Sequence, residues 1–184
     1  MFYEMEICGI KRKLQLFPVT DDTAIAAFIL FGDVEITKAT AEALLKKAPE
    51  FDVILTAESK GIPLAYEMAR QADTNDYVVA RKKTKLYMED VVKIEVKSIT
   101  SDYIQTLYLG KRERDLICGK RVLIVDDVIS TGQSLSSLEA LVEKVGGNIV
   151  GRMCVLAEGD AARRNDITFL EELPLFNKDG SVKS

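Results

Sequence analysis

The segment RVLIVDDVISTGQSL, from Arg121 to Leu135, constrains the fold of this chain more than any other stretch. It begins with an apolar run, continues with the adjacent carboxylates Asp126 and Asp127, and then passes through small and hydroxylated residues. A short apolar run bounded by polar residues is typical of a strand that is buried on both faces of a parallel sheet. The segment therefore predicts a buried strand from Arg121 to Val125, followed by a polar loop and a helix.

The remainder of the chain repeats this alternation of strands and helices. Strands that are solid apolar runs, separated by helices, favour an α/β fold with a parallel sheet flanked by helices. A length of 184 residues is typical of one domain, so we expect a single domain over residues 1–184. Strands are predicted at KLQLFPV, AIAAFILF, DVILT, DYVVARKK, Val92–Ile99 and NIVGRMCVLAE, and helices at TKATAEALLKKA, at Ile62–Gln71 and around Leu135–Val145.

The composition excludes several classes of function. The chain contains no histidine, so catalysis by Ser-His-Asp or Cys-His groups is excluded. A net charge of −4 gives no sign of general nucleic-acid binding, and the most hydrophobic stretch, Ala24 to Gly32, is too short to span a bilayer. Three scattered cysteines and an N-terminus unlike a signal peptide predict a cytoplasmic protein with neither a nucleic-acid nor a membrane partner.

The residues that follow the two acids suit a phosphate group. A loop with glycine and hydroxyl groups that leads into a helix presents free backbone N–H groups, and the helix dipole favours an anion there. Asp126 and Asp127 would repel phosphate, so we expect them to hold sugar hydroxyls or Mg²⁺ beside it. The candidate phosphate-binding residues are Ser130, Thr131, Gly132, Gln133 and Ser134.

Two other predicted strands end in polar residues. Because the carboxyl ends of parallel strands meet at one edge of a sheet, these residues are expected near the phosphate loop. A ligand with a terminal phosphate, a ribose diol and a second anionic group would fit all three strand ends. The residues are Glu58, Ser59, Lys60 and Gly61 after the first strand, and Arg81, Lys82 and Lys85 after the second.

The motif VLIVDDVISTGQS resembles the phosphoribosyl-pyrophosphate (PRPP) motif of the type I phosphoribosyltransferases over thirteen residues. In that motif four apolar residues precede two acids, two variable residues and a small-Thr-Gly loop. ESKGIPLAYEMA is similar to the pyrophosphate-binding loop and helix of the purine members, and ARKKTKLYMED to their basic strand end. The resemblance covers roughly residues 52–158.

The resemblance implies a role for each of these groups. Asp126 and Asp127 would bind the ribose hydroxyls and serve the catalytic step, the loop from Ser130 to Ser134 would hold the 5′-phosphate, and the residues at the other two strand ends would bind pyrophosphate. Mg²⁺ would be carried by PRPP rather than by direct protein ligands. The fold would comprise a hood from about residues 1–50, a PRPP-binding core over about 51–160 and a mobile loop from Leu86 to about Leu109. Members of the family are generally homodimers.

The resemblance further implies a purine phosphoribosyltransferase of purine salvage, and the acceptor base depends on weaker signals. Orotate enzymes carry a histidine in the hood, which this chain lacks. Enzymes for 6-oxopurines place a lysine where this chain has VLAEGDAARR, and the acceptor-rich Glu158 favours adenine. The Glu-Tyr pair of many adenine enzymes is missing, so xanthine or another 6-oxopurine is the alternative. A PRPP-sensing regulator without catalytic activity is an alternative of another class.

Overall fold

A five-stranded parallel sheet forms the centre of the computed structural model, which describes residues 1–97 and 104–183. Every neighbouring pair in this sheet is parallel, so the carboxyl ends of all five strands lie at one edge. Across the sheet the order is β10 (Thr168–Leu173), β9 (Asn148–Glu158), β8 (Arg121–Ile129), β4 (Val53–Ala57) and β5 (Tyr77–Ala80).

Helices cover both faces of this sheet. They are α1 (Val34–Leu45), α2 (Ile62–Gln71), α3 (Lys111–Ile117) and α4 (Gln133–Lys144), and a short 3₁₀ turn follows β9 at Gly159–Arg163. Alternate residues of β8 belong to two separate cores: Leu123 and Val125 pack with α1 and α2, whereas Val122 and Ile124 pack with α4. In the described part of the chain, no helix is long and apolar enough to cross a membrane.

Two antiparallel units complete the fold. The first is a four-stranded sheet of β1 (Phe2–Ile7), β2 (Ile10–Pro18), β3 (Thr23–Ala27) and β11 (Phe176–Asn177). The second is a two-stranded ribbon of β6 (Val92–Lys97) and β7 (Ile104–Leu109), whose inward side chains Leu107 and Leu109 join the core beneath α4.

The predicted α/β fold is confirmed, and the helix at Ile62–Gln71 and the strand at NIVGRMCVLAE have the predicted bounds. The prediction that the central strand ends at Val125 is wrong. Asp126, Val128 and Ile129 continue to pair with β9, so the two acids lie within β8 rather than after it.

Other boundaries also differ from the prediction. The strand in AIAAFILF ends at Ala27, and α1 begins at Val34 because Asp33 caps the helix by accepting from the N–H of Ile36. The strand expected from Val92 to Ile99 is described as far as Lys97, and its last two residues lie outside the described ranges. The same holds for residues 98–103 of the expected mobile loop.

Candidate active site

A cavity of about 590 Å³ lies at the carboxyl edge of the parallel sheet. Its lining combines the ends of β4, β8 and β9 and the loops that follow them with the segment from Ile25 to Ile29, in and after β3. The antiparallel N-terminal sheet therefore contributes to the lining of a cavity whose other residues come from the parallel sheet and its loops. The lining residues are Ile25, Ala26, Ala27, Phe28, Ile29, Ala57, Glu58, Ser59, Lys60, Lys82, Asp126, Asp127, Val128, Ser130, Ser134 and Glu158.

The two adjacent acids are held in different environments. Asp127 is only 2% exposed, and its Oδ2 lies 3.0 Å from the Nζ of Lys60. Beyond this ion pair, Oδ2 is buried and makes no hydrogen bond to the described residues. The carboxylate of Asp126 accepts from the N–H of Asp127 at 2.9 Å, and burial, together with the charge of Asp127, raises its pKa well above the usual range.

The loop after β4 packs tightly against this acid pair. A Cβ on Gly61 would collide with the Thr56 hydroxyl and would lie 3.0 Å from Oδ1 of Asp126, so only glycine fits there. The carboxylate of Glu58 accepts from the backbone N–H of Lys82 at 3.0 Å and lies 3.5 Å from the guanidinium of Arg81. These contacts connect the ends of β4 and β5 and keep Lys60 beside Asp127.

The loop after β8 turns into α4 through Gly132. This residue has φ +78°, a left-handed conformation that glycine adopts without strain, and its carbonyl accepts from the N–H of Ser136 at 2.8 Å. Ser130 and Ser134 line the cavity on either side of the turn. The turn into α4 thus places two hydroxyl groups at the cavity, beside a helix N-terminus, where the first N–H groups have no partner within the helix.

The cavity brings together most, but not all, of the predicted site residues. The eight that line it come from all three predicted strand ends: Glu58, Ser59, Lys60, Lys82, Asp126, Asp127, Ser130 and Ser134. Six other predicted residues do not line it: Gly61, Arg81, Lys85, Thr131, Gly132 and Gln133. Arg81 lines another cavity, together with Asp76 and Arg112.

The predicted site residues leave out two parts of the cavity. The segment from Ile25 to Ile29 lies in the predicted hood of about residues 1–50, but its residues carry no polar side chain that signals a ligand. Glu158, at the end of β9, is predicted to favour adenine, although it is not among the predicted site residues. Burial raises the pKa of the Glu158 carboxyl group. The signal that could have identified Glu158 is its place at the end of the strand next to β8.

In residues 1–97 and 104–183, no group of three or more Cys, Asp or Glu side chains is arranged to hold a metal ion. The acid pair offers two carboxylates at one edge of the cavity. A divalent cation at this place would therefore take its remaining oxygen ligands from a bound anion or from water.

An acid pair and a helix N-terminus at the carboxyl edge of a parallel sheet form the arrangement that the sequence predicts for a ligand with a phosphate group and sugar hydroxyls. The model of the phosphoribosyl transferase domain matches residues 33–180, so the chain belongs to the phosphoribosyltransferase family. The predicted family and its type I fold are confirmed.

Relatives in this family differ in the purine for which they are named. A hypoxanthine/guanine phosphoribosyltransferase of Methanococcus voltae is 33% identical over 145 residues, 79% of this chain and 71% of the relative. An adenine phosphoribosyltransferase of Acetivibrio thermocellus is 32% identical over 155 residues, 80% of this chain and 84% of the relative. The purine biosynthesis transcriptional repressor PurR of Bacillus subtilis is 36% identical over 111 residues, which are 60% of this chain and only 38% of the repressor.

Solved structures agree with the fold. The adenine phosphoribosyltransferase of Thermoanaerobacter pseudethanolicus superposes with a TM-score of 0.65 at 24% identity, over 94% of this chain and 95% of that one. At this level of identity, the likeness supports the shared fold, including the antiparallel N-terminal sheet.

Proposed function

We propose that this chain is a purine phosphoribosyltransferase of purine salvage, which transfers the 5-phosphoribosyl group of PRPP to adenine and releases pyrophosphate. One observation carries the proposal: a single cavity contains the acid pair Asp126–Asp127, Lys60 and the N-terminus of α4. A phosphorylated sugar with a second anionic group would contact all three.

The donor would span the carboxyl edge of the parallel sheet. Its 5′-phosphate would lie at the loop from Ser130 to Ser134, where the helix dipole and the hydroxyl groups favour an anion. Its ribose hydroxyls would donate to Asp126 and Asp127, whose carboxylates can accept several hydrogen bonds. Its pyrophosphate would lie near Lys60 and the loop at Ser59, with Arg81, Lys82 and Lys85 contributing positive charge.

The transfer needs no nucleophilic side chain. A ring nitrogen of the base attacks C1′ of PRPP, and the bond from C1′ to pyrophosphate oxygen breaks, so that its electron pair leaves with pyrophosphate. The proton lost from the ring nitrogens of the base passes to pyrophosphate or to water. Positive charge develops on the ribose ring, and the carboxylates of Asp126 and Asp127 lie where they can stabilise it. Mg²⁺, bound to PRPP oxygens beside this acid pair, would neutralise charge on the leaving group.

Adenine is favoured as the acceptor because of two further parts of the cavity lining. The segment from Ile25 to Ile29 adds apolar surface against which a purine ring would pack, and Glu158 at the end of β9 supplies a carboxyl group at the same cavity. A carboxylate accepts a hydrogen bond from the 6-amino group of adenine, whereas it would face the oxygen lone pairs of a 6-oxopurine. The adenine-named relatives and structures support this choice.

Xanthine or another 6-oxopurine is the alternative acceptor, since relatives named for hypoxanthine, guanine and xanthine also match. A regulator that senses PRPP is less favoured, because the match to PurR covers only 38% of that repressor.

We further propose that the enzyme works as a cytoplasmic homodimer with Mg²⁺. Three unpaired cysteines, Cys8, Cys118 and Cys154, are consistent with a reducing compartment. Exposed apolar side chains such as Phe31, Val34 and Tyr66 offer surface for self-association. Light scattering after size exclusion tests the oligomeric state.

The proposed activity is tested by following pyrophosphate release from PRPP and Mg²⁺ with adenine, xanthine, guanine or hypoxanthine added singly. We expect release that requires a base and is fastest with adenine. A reaction without base measures hydrolysis and serves as the control. Binding of PRPP without turnover of any base would overturn the enzymatic proposal in favour of a sensor.

A further inference from the structure

The ribbon of β6 and β7 carries a buried amide directly beside the phosphate loop. Gln105 is 8% exposed and occupies an inward position of β7, in line with the fully buried Leu107 and Leu109. Its Nε2 donates to Oγ of Ser134 in the first turn of α4 at 3.3 Å. An amide in this apolar row needs a partner to offset its desolvation, and Ser134 provides one.

A second polar contact fixes the ribbon along the helix. Nζ of Lys144, at the last turn of α4, donates to the carbonyl oxygen of Lys93 in β6 at 3.0 Å. The pair Val96–Gln105 therefore lies at the N-terminal end of α4, and Lys93 lies at its C-terminal end. This alignment places the amide of Gln105 at the end of the helix that faces the cavity.

The hydrogen bond decides how the hydroxyl of Ser134 can be used. A serine hydroxyl has one hydrogen to donate and two lone pairs to accept with. When Gln105 donates to Oγ, a lone pair is occupied and the hydrogen stays free. Ser137, one turn further along, donates instead to the carbonyl oxygen of Gln133 at 3.0 Å. In the described part of the chain, Ser134 Oγ donates to no protein acceptor, and Ser134 lines the cavity.

We propose that Gln105 is a positioning residue for the 5′-phosphate of the donor, because it holds the hydroxyl of Ser134 as a hydrogen-bond donor toward the cavity. A phosphate group is an acceptor at neutral pH, so it binds a serine whose hydrogen is free and directed at it. This inference rests on the proposed function, which places the phosphate at the loop from Ser130 to Ser134. It adds the ribbon to the groups that determine affinity for the donor.

Three variants separate this role from simple packing. Gln105→Leu keeps the size and continues the apolar row, but it removes the donor to Ser134. Gln105→Asn keeps the amide but is too short to reach Ser134. It tests the role of Gln105 if Gln105→Leu lowers the melting temperature. Gln105→Glu can only accept while ionised, so it would turn the serine hydrogen away from the cavity. Thr106→Val, on the other side of the same strand, is the matched control.

The measurement is calorimetric binding of two probes, ribose 5-phosphate and Mg²⁺-pyrophosphate. We expect Gln105→Leu and Gln105→Asn to weaken ribose 5-phosphate roughly 3- to 10-fold, the effect of one lost neutral hydrogen bond, and Gln105→Glu to weaken it further. Pyrophosphate affinity should stay within about 2-fold for the leucine and asparagine variants. In a Ser134→Ala background, Gln105→Leu should change ribose 5-phosphate binding less than about 2-fold, because the shared contact is already lost.

The outcomes distinguish this inference from the proposed function. Normal ribose 5-phosphate binding by both Gln105→Leu and Gln105→Asn would overturn the role of Gln105 alone. The role would also be overturned if Gln105→Leu lowered ribose 5-phosphate affinity equally in the Ser134→Ala background, because the amide would then act without Ser134. Failure of the unmodified protein to bind ribose 5-phosphate would overturn both proposals. If the variants change ribose 5-phosphate binding as expected but the unmodified protein turns over no base, the role of Gln105 would be supported and the transferase activity would be refuted.

Discussion

Asp127 has the least solvent contact of the two acids and the nearest cation, Lys60 at 3.0 Å. Asn at this position keeps the shape and removes the charge that accepts ribose hydroxyls and stabilises positive charge on the ring. We expect Asp127→Asn to lower kcat/KM for PRPP roughly 100-fold or more. The melting temperature should change little, because the lost ion pair is offset by the removal of a buried charge, and the Lys60 side chain, 51% exposed, stays hydrated.

The control for this variant is Asp160→Asn, which removes a fully hydrated carboxylate, 95% exposed, from the turn after β9. It should retain the activity of the unmodified protein. Full activity of Asp127→Asn would contradict the role assigned to that carboxylate.

Glu158 provides the residue-scale test of base choice. Gln in its place both donates and accepts, so it can pair with an amino or an oxo group at position 6 of a purine. We expect Glu158→Gln to lower the ratio of kcat/KM for adenine over hypoxanthine roughly 10-fold, with the affinity for PRPP unchanged. Steady-state kinetics with both bases measure this ratio, and an unaltered ratio would show that Glu158 does not read the base.

At the scale of elements, the turn into α4 depends on Gly132. Alanine there would adopt a strained backbone at φ +78°, and its Cβ would lie 2.5 Å from Nη1 of Arg164. We expect Gly132→Ala to lower the free energy of unfolding by about 1–3 kcal/mol and to weaken PRPP binding.

Gly119→Ala is the matched control for this substitution. Gly119 has a similar φ of +70°, but a Cβ added there would have no atom within 4 Å, so alanine at this position meets backbone strain alone. Urea unfolding of both variants compares the two costs. If Gly132→Ala lowers the free energy of unfolding no more than Gly119→Ala does, the Arg164 side chain moves away from the new Cβ without loss of stability.

The sequence predicts an element well when the residues that determine its bounds lie within or next to that element. The helix at Ile62–Gln71 was predicted with its bounds because Pro63 lies at its first turn and its apolar spacing is regular. The motif from Asp126 to Ser134 was predicted as a site because one strand, one loop and one helix supply all its groups. The length of β8 was not, because the pairing of Asp126 with Cys154 comes from β9, distant in sequence.

The role of the segment from Ile25 to Ile29 also depends on contacts between residues that are distant in sequence. Its residues have an ordinary apolar composition, and they line the cavity only because the antiparallel sheet packs across the edge of the parallel one. No neighbouring residue in the sequence signals that arrangement. The groups proposed for the donor could therefore be located from sequence, while the contribution of residues 25–29 to the cavity required the tertiary structure.

At the scale of the whole molecule, Asp52 and Arg121 connect the starts of β4 and β8. Hydrogen bonds from the side chain and the backbone N–H of Arg121 lower the pKa of Asp52 to about 2, from an ordinary value near 3.8. A carboxyl group with a lowered pKa in the folded state contributes stability above its unfolded pKa. That contribution is lost as the pH falls from about 4 through 2.

We therefore expect the free energy of unfolding to fall less steeply for Asp52→Asn than for the unmodified protein over this range of pH. Urea unfolding at pH 6, 4 and 3 measures the difference, with Asp160→Asn as the charge-matched control. Parallel curves for Asp52→Asn and the unmodified protein would show that the pair with Arg121 contributes no stability that depends on pH.

The proposed activity of the whole molecule is transfer of the 5-phosphoribosyl group from PRPP to adenine. It is tested most directly by incubating the protein with PRPP, Mg²⁺ and an equimolar mixture of adenine, hypoxanthine, guanine and xanthine, and identifying the nucleotides by mass spectrometry. We predict that AMP is the main product and that pyrophosphate forms in equal amount. Nucleotides of the 6-oxopurines in place of AMP would contradict the role given to Glu158, and no nucleotide at all would contradict the assignment as a transferase.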